Sequence, residues 1–153
     1  SLILAGKVGS SIASEIGSMR VSEQIDALEI MGVNSASFLI LPKIIASMFF
    51  FPCLVILSMA IGMIGAWVGG LSVDVTTSDF LYGLQYEFVP FYVTYAIVKT
   101  LFFAFLVSSI SSYFGYHSKG GAISVGKSST EAVVYSSIFI LVFNFILTKI
   151  ILA

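Results

Sequence analysis

The stretch from residue 44 to residue 73 contains no Asp, Glu, Lys or Arg. A helix needs about 20 consecutive apolar residues to cross a bilayer, so this run is long enough to span one. The whole chain is 58% hydrophobic and only 10% charged, with a mean hydropathy of +1.07. Soluble domains carry about 25% charged residues. The sequence therefore predicts an integral membrane protein.

Four apolar segments organise the predicted fold. We expect an all-α membrane protein with three complete transmembrane helices plus the end of a preceding one, forming a single transmembrane domain over residues 1–153. The complete spans are predicted at 42–71, 88–114 and 131–152. Residues 1–19 are rich in Gly, Ser and Ala, which is typical of a helix packed against other helices, so they are interpreted as the end of a span.

Two sequence signals place the starts of these helices. Pro42 is expected in the first turn of its span, because proline fits there without losing a hydrogen bond. The tetrad Ser128-Ser129-Thr130-Glu131 has the pattern of a capping box and is expected to open the last span.

The distribution of lysine and arginine predicts the orientation. The loop cations are Arg20 and Lys43 in the first loop and Lys119 and Lys127 in the last, which covers 115–130. The middle loop, 72–87, has acidic residues, Glu87 among them, and no cation. By the positive-inside rule the first and last loops are cytoplasmic. The middle loop and the C-terminus then face outward in a multi-pass membrane protein.

The first cytoplasmic loop carries an amphipathic pattern over residues 20–34. At helical spacing Glu23, Asp26 and Glu29 share one side, while the apolar residues gather on the other, namely Val21, Ile25, Leu28 and Met31. Gly32 follows the last apolar position and tolerates the left-handed conformation of a helix end, as Asn34 also does. Anionic lipid would repel an acidic face, so the pattern favours a soluble protein partner.

Two sequence features that could indicate catalysis lack the structural context that catalysis requires. Residues 121–128, GAISVGKS, satisfy the phosphate-loop pattern, but a phosphate loop must join a strand to a helix in an α/β domain. The single histidine, His117, has no second ligand nearby in sequence, and no basic run suits nucleic acid. We expect no enzyme activity, no metal and no cofactor, so any ATP hydrolysis belongs to another chain.

Lys99 is the one cation inside the second complete span. A charge there needs a polar partner or a wet cavity. Two interpretations remain open. Lys99 lines a polar pathway and holds a substrate headgroup, or it bonds backbone carbonyls or Asn144 of the last span for structural reasons.

The longest distinctive motif is AGKVGSSIASEIGSMRVSEQIDALEIMGVN at 5–34, and shorter ones lie at 95–100, 115–122, 125–130 and 132–134. Together they resemble the motifs of one family, the MlaE-type permeases, which are the membrane subunits of MCE-associated ABC lipid transporters. The resemblance covers essentially the whole chain, as the C-terminal three-fifths of a typical member. Departures are Lys7 in place of a usual arginine, Asn34-Ser35 in place of Asp-Pro, and Asn144 in place of a frequent aspartate.

The resemblance implies a multi-pass lipid permease of the inner membrane that is driven by a separate ATPase. Its outward-facing C-terminus would then be periplasmic. Its implied partners are that ATPase, a second permease copy, an MCE-domain substrate-binding protein and membrane lipid, with no nucleic acid. It places ATPase coupling at the segment that holds Glu15, Arg20, Glu23, Gln24, Asp26 and Glu29. We assign a lipid pathway to Lys99, Tyr95 and Asn144.

Two other functions are compatible with the residues alone. An ion-coupled secondary carrier would use Lys99 with intramembrane carboxylates, but no Asp or Glu lies well inside the three complete spans. A membrane scaffold without transport would leave Lys99 and the acidic stripe without a role.

Overall fold

The structure, a computed structural model, describes residues 1–86 and 88–152. Glu87 of the middle loop lies outside the described residues. Within the described part the chain is helical and has no strand. Its helices are α1 (Leu2–Leu4), α2 (Ser10–Val21), α3 (Gln24–Ile30), α4 (Ser35–Leu71), α5 (Thr77–Tyr86), α6 (Pro90–Tyr116) and α7 (Ala122–Leu152).

Three of the described helices, α4, α6 and α7, are long and apolar enough to cross a membrane. Each corresponds to one of the complete spans expected from the sequence, so the predicted fold class is confirmed. A π-helical turn, Ala5–Gly9, joins α1 to α2. The residues at both junctions have right-handed helical dihedrals, so Leu2 to Val21 form one continuous helical rod.

The first long helix begins at Ser35 and not at residue 42. Asn34 caps it, since the Asn34 Oδ1 accepts a hydrogen bond from the Ser37 backbone amide at 3.2 Å. Asn34 is therefore a helix start and not the left-handed helix end that we expected. Pro42 and Pro52 both lie inside α4, where neighbouring groups in a membrane helix can compensate for the lost hydrogen bond.

Helical structure extends into both of the later predicted loops. The segment 72–87 contains the helix α5, and α7 already begins at Ala122. Only residues 117–121 separate α6 from α7, where Gly120 turns the chain with φ +111°. Ser128 to Glu131 therefore lie within a helix, and the prediction that they cap its start is wrong.

The predicted helix over 20–34 divides at a sharp turn. Arg20 and Val21 complete α2, and Glu23 has a left-handed φ of 59° immediately before α3 begins. Gly32 ends this short helix with φ +78°, as its position in the sequence predicts. The amphipathic element is therefore the seven-residue helix α3.

The helix α6 lies at the centre of the bundle and packs against α2, α4 and α7. One buried cluster combines Phe51 of α4, Val107 of α6 and Ile140 of α7. A second cluster joins Ile12 and Ile16 of α2 to Ile25 of α3. This second cluster fixes the short helix against the end of the bundle.

Candidate functional site

The short helix α3 is anchored by one apolar residue. Ile25 is completely buried against Ile12 and Ile16. Burying an isoleucine side chain fully contributes about 1.5–3 kcal/mol. Because α3 makes only one full burial of this kind, its orientation also depends on polar contacts.

Glu29 provides the main polar contact and connects three helices. Its Oε1 accepts hydrogen bonds from the Ser35 hydroxyl and the Tyr116 hydroxyl, each at 2.9 Å. Ser35 is the first residue of α4 and Tyr116 the last residue of α6. Hydrogen bonds from Ser35 and then Tyr116 lower the pKa of Glu29, and the nearby Arg20 charge lowers it further. Glu29 is therefore a carboxylate held between the ends of two spans.

A second contact crosses the turn before α3. The Arg20 guanidinium donates to the Asp26 carboxylate at 2.6 Å and lies 5.6 Å from the centre of the Tyr116 ring. Tyr116 therefore contacts both Arg20 and Glu29. Sequence reasoning missed Ser35 and Tyr116 as members of this site, although Tyr116 belongs to one of the family-like motifs.

The predicted coupling residues do not form one cluster. Glu15 pairs instead with Lys43, with 2.6 Å between Oε2 and Nζ, and so connects α2 to α4. Glu23 and Gln24 are exposed at the start of α3. Two of the three acids in the proposed stripe, Asp26 and Glu29, are occupied by partners in this chain.

The side of α3 that points away from Ile25 is mainly apolar. At 100° per residue, Ala27 and Ile30 lie nearly opposite Ile25. Ile30 is 88% exposed, and Met31 directly after the helix is 68% exposed. The exposed surface of α3 thus combines apolar side chains with Glu23 at its edge.

Lys99 takes part in a separate polar cluster. Its ammonium donates to the Tyr95 hydroxyl at 2.7 Å and to the Thr148 hydroxyl at 2.8 Å. The Thr148 hydroxyl in turn donates to the backbone carbonyl of Asn144 at 2.6 Å. Thr148 is therefore the partner of Lys99 on α7, whereas the structural interpretation left open by the sequence named backbone carbonyls or Asn144. None of the three ion pairs among the described residues involves Lys99.

The phosphate-loop lookalike is helical from Ala122 onward. A phosphate loop joins a strand to a helix, whereas this segment follows the long helix α6 and places Gly126 and Lys127 inside α7, so it does not form such a loop. Among the described residues, no group of three or more His, Cys, Asp or Glu side chains could hold a metal ion.

Comparison with known proteins identifies the family. A family model described as permease MlaE matches residues 1–150. The chain is 44% identical over 149 residues to a protein of Rickettsia bellii named a probable ABC transporter permease protein. That match covers 97% of this chain and 58% of the Rickettsia protein, so the chain spans little more than half of it.

Two further relatives come from photosynthetic organisms. A probable ABC transporter permease protein of Synechocystis is 37% identical over 149 residues, covering 96% of this chain and 56% of that protein. The Arabidopsis thaliana protein TRIGALACTOSYLDIACYLGLYCEROL 1, chloroplastic, is 33% identical over 158 residues, covering 97% of this chain and 43% of that protein. With its three membrane-spanning helices and the family match over almost its whole length, this multi-pass membrane chain belongs to the MlaE family of permeases.

Proposed function

We propose that this chain is part of the permease subunit of an ABC transporter that moves phospholipid or a related lipid across or out of the inner membrane. A separate ATPase hydrolyses ATP, two permease copies form the transmembrane core, and an MCE-domain protein receives or delivers the lipid. The loop that contains α3 is cytoplasmic, and the C-terminus is periplasmic. Membership of the MlaE family supports this proposal, as does the positive-inside distribution of lysine and arginine.

The observation that carries the proposal is the contact of Glu29 with both Ser35 and Tyr116. Force applied to α3 reaches the start of α4 and the end of α6 through this one carboxylate. Coupling in a transporter requires such an element, because a partner can shift the spans only through contacts that differ between their two arrangements. We assign α3 as the element on which the ATPase docks.

The docking surface in this proposal is the exposed side of α3, formed by Glu23, Ala27, Ile30 and Met31. Interface energy concentrates in a few apolar or aromatic anchors surrounded by polar residues. Ile30 and Met31 have the exposure that such anchors need. Arg20, Asp26 and Glu29 then orient α3, while Glu23 and Gln24 contribute polar contacts at the edge.

Exchange of one exposed isoleucine tests this assignment. Ile30→Asp should prevent co-purification of the ATPase with the full-length permease, because a carboxylate would be buried without a partner at the interface. Ile123→Asp is the matched control, since Ile123 is 92% exposed but belongs to α7. The control should retain the ATPase. Normal ATPase binding and stimulation by the Ile30 variant would remove α3 from the docking surface.

The lipid pathway in this proposal includes the cluster of Lys99, Tyr95 and Thr148, with Asn144 holding Thr148 through its carbonyl. Lys99 uses two of its three N–H groups on hydroxyls. A third N–H and a full positive charge are then available for a lipid phosphate. This arrangement suits a transient contact better than a closed ion pair would.

A further inference from the structure

A groove on the surface of the bundle runs between the rod that contains α2 and the first half of α4. Its volume is about 300 Å³. Its apolar walls are formed by Val8, Ile12, Ala46, Phe50, Phe51 and Leu54. Ser47 also lines the groove, but its hydroxyl donates to the Ile44 carbonyl at 2.8 Å. The groove is therefore an apolar surface along most of its length.

A charged pair closes one end of the groove. Lys43 lines the groove and lies 2.6 Å from the Glu15 carboxylate. The Lys43 side chain is 21% exposed and that of Glu15 is 53% exposed, so both can still contact a ligand. A cation and an anion thus lie side by side at the mouth of an apolar groove.

The position of the pair along α4 places it at the membrane surface. Lys43 is the last charged residue before the uncharged stretch 44–73. From Lys43 to Leu54 the helix rises about 16 Å. One leaflet contributes about half of the roughly 30 Å hydrocarbon core. The groove therefore extends from the headgroup level to about the depth of one leaflet.

We propose that this groove binds one zwitterionic phospholipid of the adjacent leaflet. One acyl chain lies along α4 against Phe50, Phe51 and Leu54, where it supplies the dispersion contacts that the groove otherwise lacks. The headgroup ammonium contacts Glu15, and its phosphate contacts Lys43. A purely anionic headgroup would be attracted by Lys43 but repelled by Glu15, so it matches the mouth less well. Under the orientation proposed above, this leaflet is the cytoplasmic one.

Fluorescence quenching by brominated lipids can test the site in the full-length permease. Trp67 is the single tryptophan of this sequence. In a background with native tryptophans replaced by phenylalanine, Phe50→Trp places a reporter in the groove. Phe49→Trp is the matched control, because Phe49 is the adjacent residue on α4, is 70% exposed and does not line the groove. Each protein is reconstituted in vesicles that contain brominated phosphatidylethanolamine or brominated phosphatidylglycerol.

Quenching of the Phe50→Trp reporter should show phosphatidylethanolamine binding about two- to fivefold more tightly than phosphatidylglycerol. This ratio is the difference in affinity expected from an exposed charge pair. The control reporter should show a ratio near one. Glu15→Gln in the Phe50→Trp protein should reverse the preference toward phosphatidylglycerol, because Lys43 is then unpaired. Exchanging the two charges, with Glu15→Lys and Lys43→Glu together, should keep the original preference.

Equal ratios at the two reporters would overturn the proposal. Absence of quenching at the groove reporter by either lipid would also overturn it, because a second copy or another protein segment would then fill the groove. The measurement needs neither ATP nor the ATPase. Lipid selectivity at the groove without lipid transport would therefore support this site and refute the proposed function. Lipid transport without selectivity at the groove would support the proposed function and refute this site.

Discussion

Replacement of Gly115 by alanine should loosen the contact between α2 and α6. A Cβ atom at Gly115 would lie 2.8 Å from the carbonyl oxygen and 3.1 Å from the Cα of Ala13, and 3.0 Å from the Cβ of Ile16. Two of these three atoms belong to the backbone of α2, so no side-chain rotation can relieve the overlap. The two helices must separate by several tenths of an ångström.

The expected cost follows from this geometry. Overpacking a close contact costs about 1–3 kcal/mol. Alanine is about 1 kcal/mol better than glycine inside a helix, which offsets part of this cost. We therefore expect Gly115→Ala to lower the free energy of unfolding by up to about 2 kcal/mol. The loss should be visible although alanine adds only one methyl group.

Two other glycines provide controls for this prediction. Gly126 of α7 has open space around its missing Cβ, so Gly126→Ala should raise stability by roughly 0.5–1 kcal/mol. A Cβ at Gly9 would approach the Ser111 hydroxyl oxygen at 2.9 Å. That hydroxyl can rotate, so Gly9→Ala should cost less than Gly115→Ala.

Denaturation by sodium dodecyl sulfate in mixed micelles, followed by circular dichroism, measures these free energies. The expected order of stability is Gly126→Ala, then the unmodified protein, then Gly9→Ala, then Gly115→Ala. Equal stability of the Gly115 and Gly126 variants would show that α2 and α6 are not in such close contact.

Three further predictions concern the proposed sites. Tyr116→Phe removes one hydrogen bond that lowers the pKa of Glu29. The Glu29 carboxylate stabilises the fold above its unfolded-state pKa, and this stabilisation is lost as pH falls through the folded-state pKa. The folded-state pKa of Glu29 should therefore be higher in the variant, which should lose the stabilisation at a higher pH. A carbon-13 titration of Glu29 measures this pKa. Lys127→Ala should leave ATP hydrolysis by the assembled complex unchanged in a phosphate-release assay. Lys99→Met should preserve expression and ATPase binding but reduce lipid transfer, with partial rescue by Lys99→Arg; full transfer by the Met variant would contradict the headgroup role.

The membrane-spanning helices could be predicted because the bilayer leaves few alternatives. A backbone in hydrocarbon must satisfy its own hydrogen bonds, so a long uncharged stretch becomes a helix. Helix starts were harder to predict. The side chain of Asn34 caps α4, which begins at Ser35, seven residues before the expected start at 42. The sequence of residues 122–130 gives no comparable indication of a helix. These residues are helical because they continue the last span toward its N-terminus, and not because they have an apolar pattern of their own.

The coupling segment shows a different limit of sequence reasoning. Periodicity correctly placed Ile25 on the buried side of α3 and Glu23 on an exposed one. It also grouped Val21 and Met31 with Ile25, although both are exposed, because the chain turns between α2 and α3 and α3 ends before Met31. It could not reveal that Glu29 is bound by Tyr116, which is 87 residues away in the sequence. The acidic stripe therefore suggested a charged docking surface, whereas two of its three acids, Asp26 and Glu29, are paired within the chain.

The position of Lys99 explains how a cation is tolerated in this bundle. Lys99 follows Pro90, the first residue of α6, by nine residues, about 14 Å along a helix about 40 Å long. Helical side chains lean toward the N-terminus, so the ammonium reaches back to Tyr95, one turn nearer that end. On α7 its partner is accordingly Thr148, one turn beyond Asn144 and close to the end of the helix.

The charge thus lies in the outer part of the span, where water and headgroups are nearer and the cost of a cation is smaller than at the midplane. In the proposed orientation that end is periplasmic, so a lipid phosphate would meet Lys99 at the side where the MCE-domain protein exchanges lipid.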